Sequence, residues 1–138
     1  MKSHVRVAVI GGGVVGASVL YHLTKLGWQD VVLIERSELT SGSTWHAAGG
    51  FHTLNADTNM AALQGYTINL YRELEQISVQ ACGLHHVGGI TLATTPERMD
   101  YLKAERAKHQ YMGLHTEIIG PAEIRKLSPI TNTDGVIG

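Results

Sequence analysis

The chain has 138 residues, of which 43% are hydrophobic, 17% charged and 6% aromatic, with 16 glycines against 3 prolines. Eleven Lys and Arg against twelve Asp and Glu leave a formal net charge of −1, and no basic block is present, which excludes nucleic-acid binding driven by phosphate neutralisation. A single cysteine excludes a disulfide framework and a paired-cysteine zinc or redox motif, and no apolar run approaches the length of a membrane span. The first apolar stretch begins at Val5, so no signal or transit peptide is expected. The expected setting is a bacterial cytoplasm, or the mitochondrial matrix for a processed eukaryotic chain.

Val5 to Ile10 is short, β-branched and almost wholly apolar, the pattern of a buried parallel strand. It runs into Gly11-Gly12-Gly13-Val14-Val15-Gly16. Val15, Val19, Leu20, Leu23 and Leu26 then recur at helical spacing, with Gly27 as the stop. Val31 to Ile34 predicts a second buried strand that ends at Glu35, and the strand–helix–strand crossover is expected to be right-handed. Arg36 to Asp57 loses all periodicity and fills with Ser, Thr, Gly and Ala, a long loop of the kind that carries function or disorder. After Asp57 or Thr58 as N-cap, Leu63, Tyr66, Leu70, Leu74 and Ile77 form one apolar stripe of an amphipathic helix. His86 to Ala93 predicts a strand with a glycine-marked bend. Thr95-Pro96 opens a helix expected to run to Met112 and stop at Gly113. A short strand is expected over Thr116 to Ile119, a short helix over Pro121 to Leu127, and a further strand opening at Val136. Two parallel strands leave faces and edges uncovered, so the sequence reads as the N-terminal piece of something larger.

The glycine turn matches Gly-x-Gly-x-x-Gly at Gly11, Gly13 and Gly16. The first glycine permits the sharp turn, the second lets the backbone approach a pyrophosphate, and the third lets helix and strand pack closely. Amides at the helix N-terminus and the helix dipole favour an anion there. Glu35 lies 24 positions after Gly11, at the end of the second strand, where a carboxylate accepts hydrogen bonds from adenosine ribose hydroxyls and disfavours a 2′-phosphate. The pattern alone also occurs in glycine turns without a ligand. The second signal is Ser41-Gly42-Ser43-Thr44-Trp45-His46-Ala47-Ala48-Gly49-Gly50, small hydroxyl-bearing residues suited to a flat ring and a diphosphate. The same composition suits a solvated loop, but this one follows the ribose-binding acid directly.

Gly11 to Gly16, Glu35-Arg36 and the Gly42-Ser-Thr-Trp-His-Ala-Ala-Gly49 run together resemble the N-terminus of the dimethylglycine dehydrogenase and sarcosine dehydrogenase family. These are flavoproteins of the glutathione-reductase-like, D-amino-acid-oxidase type. The similarity continues through Gly88-Gly89-Ile90, Ala93-Thr-Thr-Pro96 and Leu127-Ser-Pro129. It implies an α/β fold: the N-terminal part of a Rossmann-like FAD-binding domain, residues 1–80, leading into the start of an antiparallel-sheet substrate domain, residues 81–138. It implies FAD joined covalently through His46, with Val14 and Val15 beside the pyrophosphate and Glu35 and Arg36 at the adenosine. Gly42, Ser43, Thr44, Trp45, Ala47, Ala48, Gly49 and Gly50 would line the flavin. The implied reaction is hydride transfer from an N-methyl group of a methylated glycine to FAD, with oxygen or an electron-transfer flavoprotein as final acceptor. Tetrahydrofolate is the one-carbon acceptor in larger family members. Gly50-Phe51-His52-Thr53 departs from the commoner family pattern, where an apolar residue follows the glycine matching Gly49, and this bears on substrate identity.

Two other readings stand beside this one. The chain is catalytically silent, a fragment or a subunit awaiting a complement; or it is an NAD-dependent dehydrogenase, which leaves the small-residue loop and His46 without a role. The remaining polar residues point to no further chemistry. His85-His86 has no carboxylate or cysteine partner nearby, so no metal is expected. His4, His22, His109 and His115 read as solvated, Cys82 as a small packing residue, and Glu105 with Lys108 as a pair on an exposed helix face. No catalytic base is identifiable.

Overall fold

The computed structural model describes residues 3–138. Its order is strand β1 (Val7–Ile10), helix α1 (Val14–Lys25), strand β2 (Val31–Ile34), then helices α2 (Thr58–Ser78), α3 (Pro96–Tyr111) and α4 (Pro121–Leu127). The chain divides into two compact units, Met1–Gly50 and Phe51–Gly138.

The first unit is the expected crossover. β1 and β2 pair in parallel with Val7 opposite Val31 and Ile10 opposite Ile34. Gly11 extends the ladder by one bond, its N–H donating to the Ile34 carbonyl at 2.8 Å. Side chains alternate along β1, so Val9 turns toward α1 and is buried, while Ile10 on the other face is 85% exposed. A helix on one side therefore covers one face of the pair. α1 stops where expected: Leu26 caps it, and Gly27 takes the left-handed backbone, φ +88, that a side chain would resist.

The second unit is helical. Asp57 is the N-cap of α2, its carboxylate accepting from the Met60 N–H at 2.9 Å. Thr95 caps α3 the same way, accepting from Arg98 N–H at 3.2 Å, with Pro96 in the first turn. Ala61, Ala93, Met99 and Ile124 form the buried apolar set. Phe51 meets Tyr71 of α2 edge-to-face at 4.9 Å between ring centres. On α3, Lys108 Nζ lies 2.7 Å from Glu105, the expected pair; each group holds the other in its charged form, lowering the Glu105 pKa and raising that of Lys108.

Four sequence expectations need correction. Residues 86–93, 116–119 and 136–138 form no strand: among the described residues only β1 and β2 form a ladder. A strand exists through its neighbours, and the second unit supplies one local pairing, Ala93 N–H to Gly138 O at 2.7 Å and Ile137 N–H to Ala93 O at 2.8 Å. The α/β class stands on two parallel strands, and an antiparallel sheet is not formed among the described residues. His109 is buried, at 8% exposure, because it continues the inward row of α3 that starts at Met99. Cys82 is exposed instead of packed, since it lies in the irregular chain beyond α2.

That chain leaves α2 through Val79, which caps the helix in left-handed backbone, φ +56, a conformation costly for a β-branched residue. Val79→Gly should therefore stabilise the protein by about 0.5–1 kcal/mol, strain relief exceeding the entropy lost with glycine. Chemical denaturation would measure this as a raised midpoint with an unchanged slope.

Candidate functional site

The site is assembled at the end of β1. Gly11 turns the chain with φ +106, in the region open to glycine. A side-chain carbon added at Gly16 would overlap the Gly11 carbonyl oxygen and sit 3.5 Å from Val9, so the third glycine sets how near α1 approaches β1. A carbon at Gly13 would stand 3.0 Å from the Thr44 hydroxyl. α1 has no acidic residue in its first turn, and its N-cap, Gly13, has no side chain to close it. Among the described residues no protein acceptor is found for the amides of Val15 and Gly16. A helix N-terminus with open amides at its second and third residues and a glycine-lined approach is the cradle a pyrophosphate requires. The residues present therefore fit a dinucleotide.

Glu35 stands at the end of β2, beside the turn. Its Oε2 accepts the Gly12 N–H at 2.6 Å and its Oε1 the Ser37 N–H at 2.9 Å. These backbone donors, Gly12 first and Ser37 next, hold the carboxyl below its ordinary pKa of 4.5. A carboxylate oxygen has more than one acceptor position, so Glu35 keeps acceptor capacity beyond these bonds. Arg36 adjoins it and adds to the same downward shift.

The loop after Glu35 returns to the turn. Thr40 N–H donates to the Gly12 carbonyl at 3.1 Å, and Thr40 itself is left-handed, φ +65. The Val14 N–H donates to Thr44 Oγ1 at 2.9 Å. Residues 42–47 then coil in successive tight turns, with Trp45, His46 and Ala47 donating to Gly42, Ser43 and Thr44 in order, at 3.2–3.3 Å. Trp45 is 79% exposed, and His46, Ala47, Ala48, Gly49 and Gly50 are exposed with it. His46 Nδ1 lies 2.9 Å from the Gly42 carbonyl oxygen. A carbonyl only accepts, so Nδ1 is the nitrogen that donates in this contact.

The structure thus brings Gly11, Gly13, Gly16, Val14, Val15, Glu35 and Thr44 together, with His46 two residues beyond the Thr44 contact. Sequence reasoning missed two participants. Gly12, a free position in the motif, is gripped at its N–H by Glu35 and at its carbonyl by Thr40, and a side chain there would run into Leu39 and the Glu35 stem. The signal was a glycine where the motif permits any residue. Thr40 left no signal, since a β-branched residue is the least expected at positive φ. In the second unit, an open cleft of about 660 Å³ is lined by His52, His85, His86, His109, His115 and Arg106 among others. His86 there accepts from Arg72 Nε at 3.1 Å. Among the described residues no group of three potential metal ligands converges, and no helix is long and apolar enough to cross a membrane.

Glycine turn, carboxylate-ended second strand and returning loop define a dinucleotide-binding α/β protein. The family described as DAO, FAD dependent oxidoreductase, matches residues 6–138. The chain is 43% identical over 136 residues to rat mitochondrial dimethylglycine dehydrogenase, covering 99% of this chain and 16% of that protein. It is 36% identical to the mouse mitochondrial pyruvate dehydrogenase phosphatase regulatory subunit, over all of this chain and 16% of that one. It is 37% identical to human mitochondrial sarcosine dehydrogenase, over all of this chain and 15% of the relative. Among solved structures, L-proline dehydrogenase from P. horikoshii superposes with a TM-score of 0.79 at 22% identity, over 99% of this chain and 36% of that one, a likeness of fold. The chain belongs to the FAD-dependent oxidoreductase family and spans about one sixth of the length of the curated relatives it matches.

The grip of Glu35 on Gly12 yields a pH prediction. A carboxyl whose pKa is lowered by folding contributes stability that is full above its unfolded pKa and is lost as the pH falls through its folded value. Below about pH 4.5 the wild-type protein should lose melting temperature more steeply than Glu35→Gln, which starts lower at neutral pH. Parallel acid limbs in the two proteins would contradict the role.

Proposed function

We infer that the complete protein is an FAD-dependent amine dehydrogenase or oxidase that oxidatively demethylates N-methylglycines, dimethylglycine or sarcosine, and that this chain is its adenosine- and flavin-attachment segment. The observation that carries the reading is the joining of glycine turn, Glu35 and the His46 loop within one unit, over a chain 43% identical to a dimethylglycine dehydrogenase. Bound FAD supplies a two-electron hydride acceptor.

The chain's own residues bind and orient. The amides of Val15 and Gly16 and the dipole of α1 take the pyrophosphate, Glu35 takes the ribose hydroxyls, and Arg36 lies at the adenosine. Gly42, Ser43, Trp45, Ala47, Ala48, Gly49 and Gly50 line the ring with little bulk. The Gly42 carbonyl fixes the His46 tautomer, and Nε2 is the nitrogen joined to the flavin. Residues 81–138 open the substrate domain, whose antiparallel sheet would take in the Ala93 pairing with Ile137 and Gly138. In the complete protein tetrahydrofolate takes the one-carbon unit, and the compartment is the bacterial cytoplasm or the mitochondrial matrix.

A second reading, a catalytically silent subunit, draws on the 36% identity to a phosphatase regulatory subunit. Anaerobic addition of dimethylglycine or sarcosine separates the two, because bleaching of the flavin absorbance occurs only in the enzyme. For the covalent link, acid-precipitated wild-type protein should retain flavin fluorescence on the polypeptide in a denaturing gel. His46→Ala should release all of its flavin to the supernatant. Equal retention in the variant would remove His46 from the account.

A further inference from the structure

The side chain that fixes the cofactor loop comes from within the loop itself and reaches the helix it serves across a separation of 30 residues. α1 begins at Val14 behind a glycine that offers no capping side chain. The first helical amide would then look to solvent or to a ligand. Instead it donates to Thr44 Oγ1 at 2.9 Å, so Thr44 caps α1 from outside the segment. A side chain on Gly13 would come within 3.0 Å of Thr44 Oγ1, so the glycine there also keeps room for the threonine. The loop is tied once more upstream by the Thr40 N–H to Gly12 O bond, which holds a β-branched residue at φ +65. A left-handed threonine persists where surrounding contacts over-determine it.

We propose that Thr44 is a positioning residue: its hydroxyl, accepting from the Val14 N–H, seats loop 41–50 on the first turn of α1 and thereby sets where Trp45 and His46 stand relative to the pyrophosphate cradle. The bond divides the helix N-terminus. Val14 serves the loop, and Val15 and Gly16, for which no protein acceptor is found among the described residues, serve the dinucleotide. Thr44 touches neither substrate nor reacting atoms in this role and acts through the placement of its neighbours. The assignment of a dinucleotide to the cradle rests on the FAD reading above; the Thr44–Val14 contact does not.

Two measurements on the complete protein keep these apart. Amide hydrogen exchange is followed for the peptides holding Val14 and residues 41–50 in wild type, Thr44→Val and Thr44→Ser. Thr44→Val keeps the shape and removes the acceptor, so both peptides should exchange about tenfold faster, while Thr44→Ser keeps wild-type protection. Unchanged exchange in Thr44→Val, or loss of protection in Thr44→Ser, overturns the proposal whatever the cofactor. Should Thr44→Val not fold, Gly13→Ala reads the contact from the other side. Faster exchange of both peptides supports the proposal, and wild-type exchange overturns it. The second measurement is FAD affinity by fluorescence titration in the His46→Ala background, where no covalent bond masks binding. Adding Thr44→Val should weaken FAD about tenfold, and adding Thr44→Ser should not. Absence of FAD binding by His46→Ala itself contradicts the FAD reading and leaves the exchange result to decide on Thr44.

Discussion

The closeness of α1 to the end of β1 governs the N-terminal unit, and that closeness is a matter of one missing carbon. At Gly16 any side chain would overlap the Gly11 carbonyl, so the helix axis would have to lift away from the strand. With the helix lifted, Val9 loses its cover and the open amides of the first turn move off the line of the strand end. Burial of the unit's apolar contact and aim of its anion cradle are therefore the same geometric fact. The cost is a turn that needs left-handed backbone at Gly11, available without strain to glycine.

What is built on that approach is held by hydrogen bonds from a segment with little apolar anchoring of its own. Glu35 grips Gly12, Thr40 takes the Gly12 carbonyl, and Thr44 takes the Val14 amide. The three contacts link the second strand, the loop and the first helix into one frame around the place a diphosphate would lie. Backbone donors, Gly12 first and Ser37 next, favour the ionised form of Glu35 and lower its pKa. The carboxylate therefore orders the turn with the same atoms that, under the proposed function, would meet ribose hydroxyls. The bare face of β1 and β2 fits a parallel sheet normally covered on both sides, in a chain that spans about one sixth of its relatives' length.

Local chemistry was legible in the residues. The glycine turn, the stop at Gly27 and the caps at Asp57 and Thr95 each follow from a rule acting over a few positions, and each stands in the structure where the sequence puts it. Interactions between distant residues were not. The Thr44–Val14 bond spans 30 positions and leaves no periodic trace. Thr40 and Val79 take backbone that their β-branched side chains disfavour, because the bonds around Thr40 and the end of α2 at Val79 outweigh local preference. His109 is buried through its place on the inward row of α3, which its polarity conceals. The irregular stretch before Ala93 carries a strand's composition, but a strand is completed by its neighbours.

The central claim is that the glycine turn and Glu35 form a site for the adenosine diphosphate half of FAD. The most direct measurement is a calorimetric titration of the complete His46→Ala protein with FAD and with FMN, which has the flavin and one phosphate but no adenosine. The account predicts that FAD binds about 100-fold more tightly, a difference of about 2.7 kcal/mol contributed by the cradle and the carboxylate. Equal affinity for FAD and FMN would contradict it.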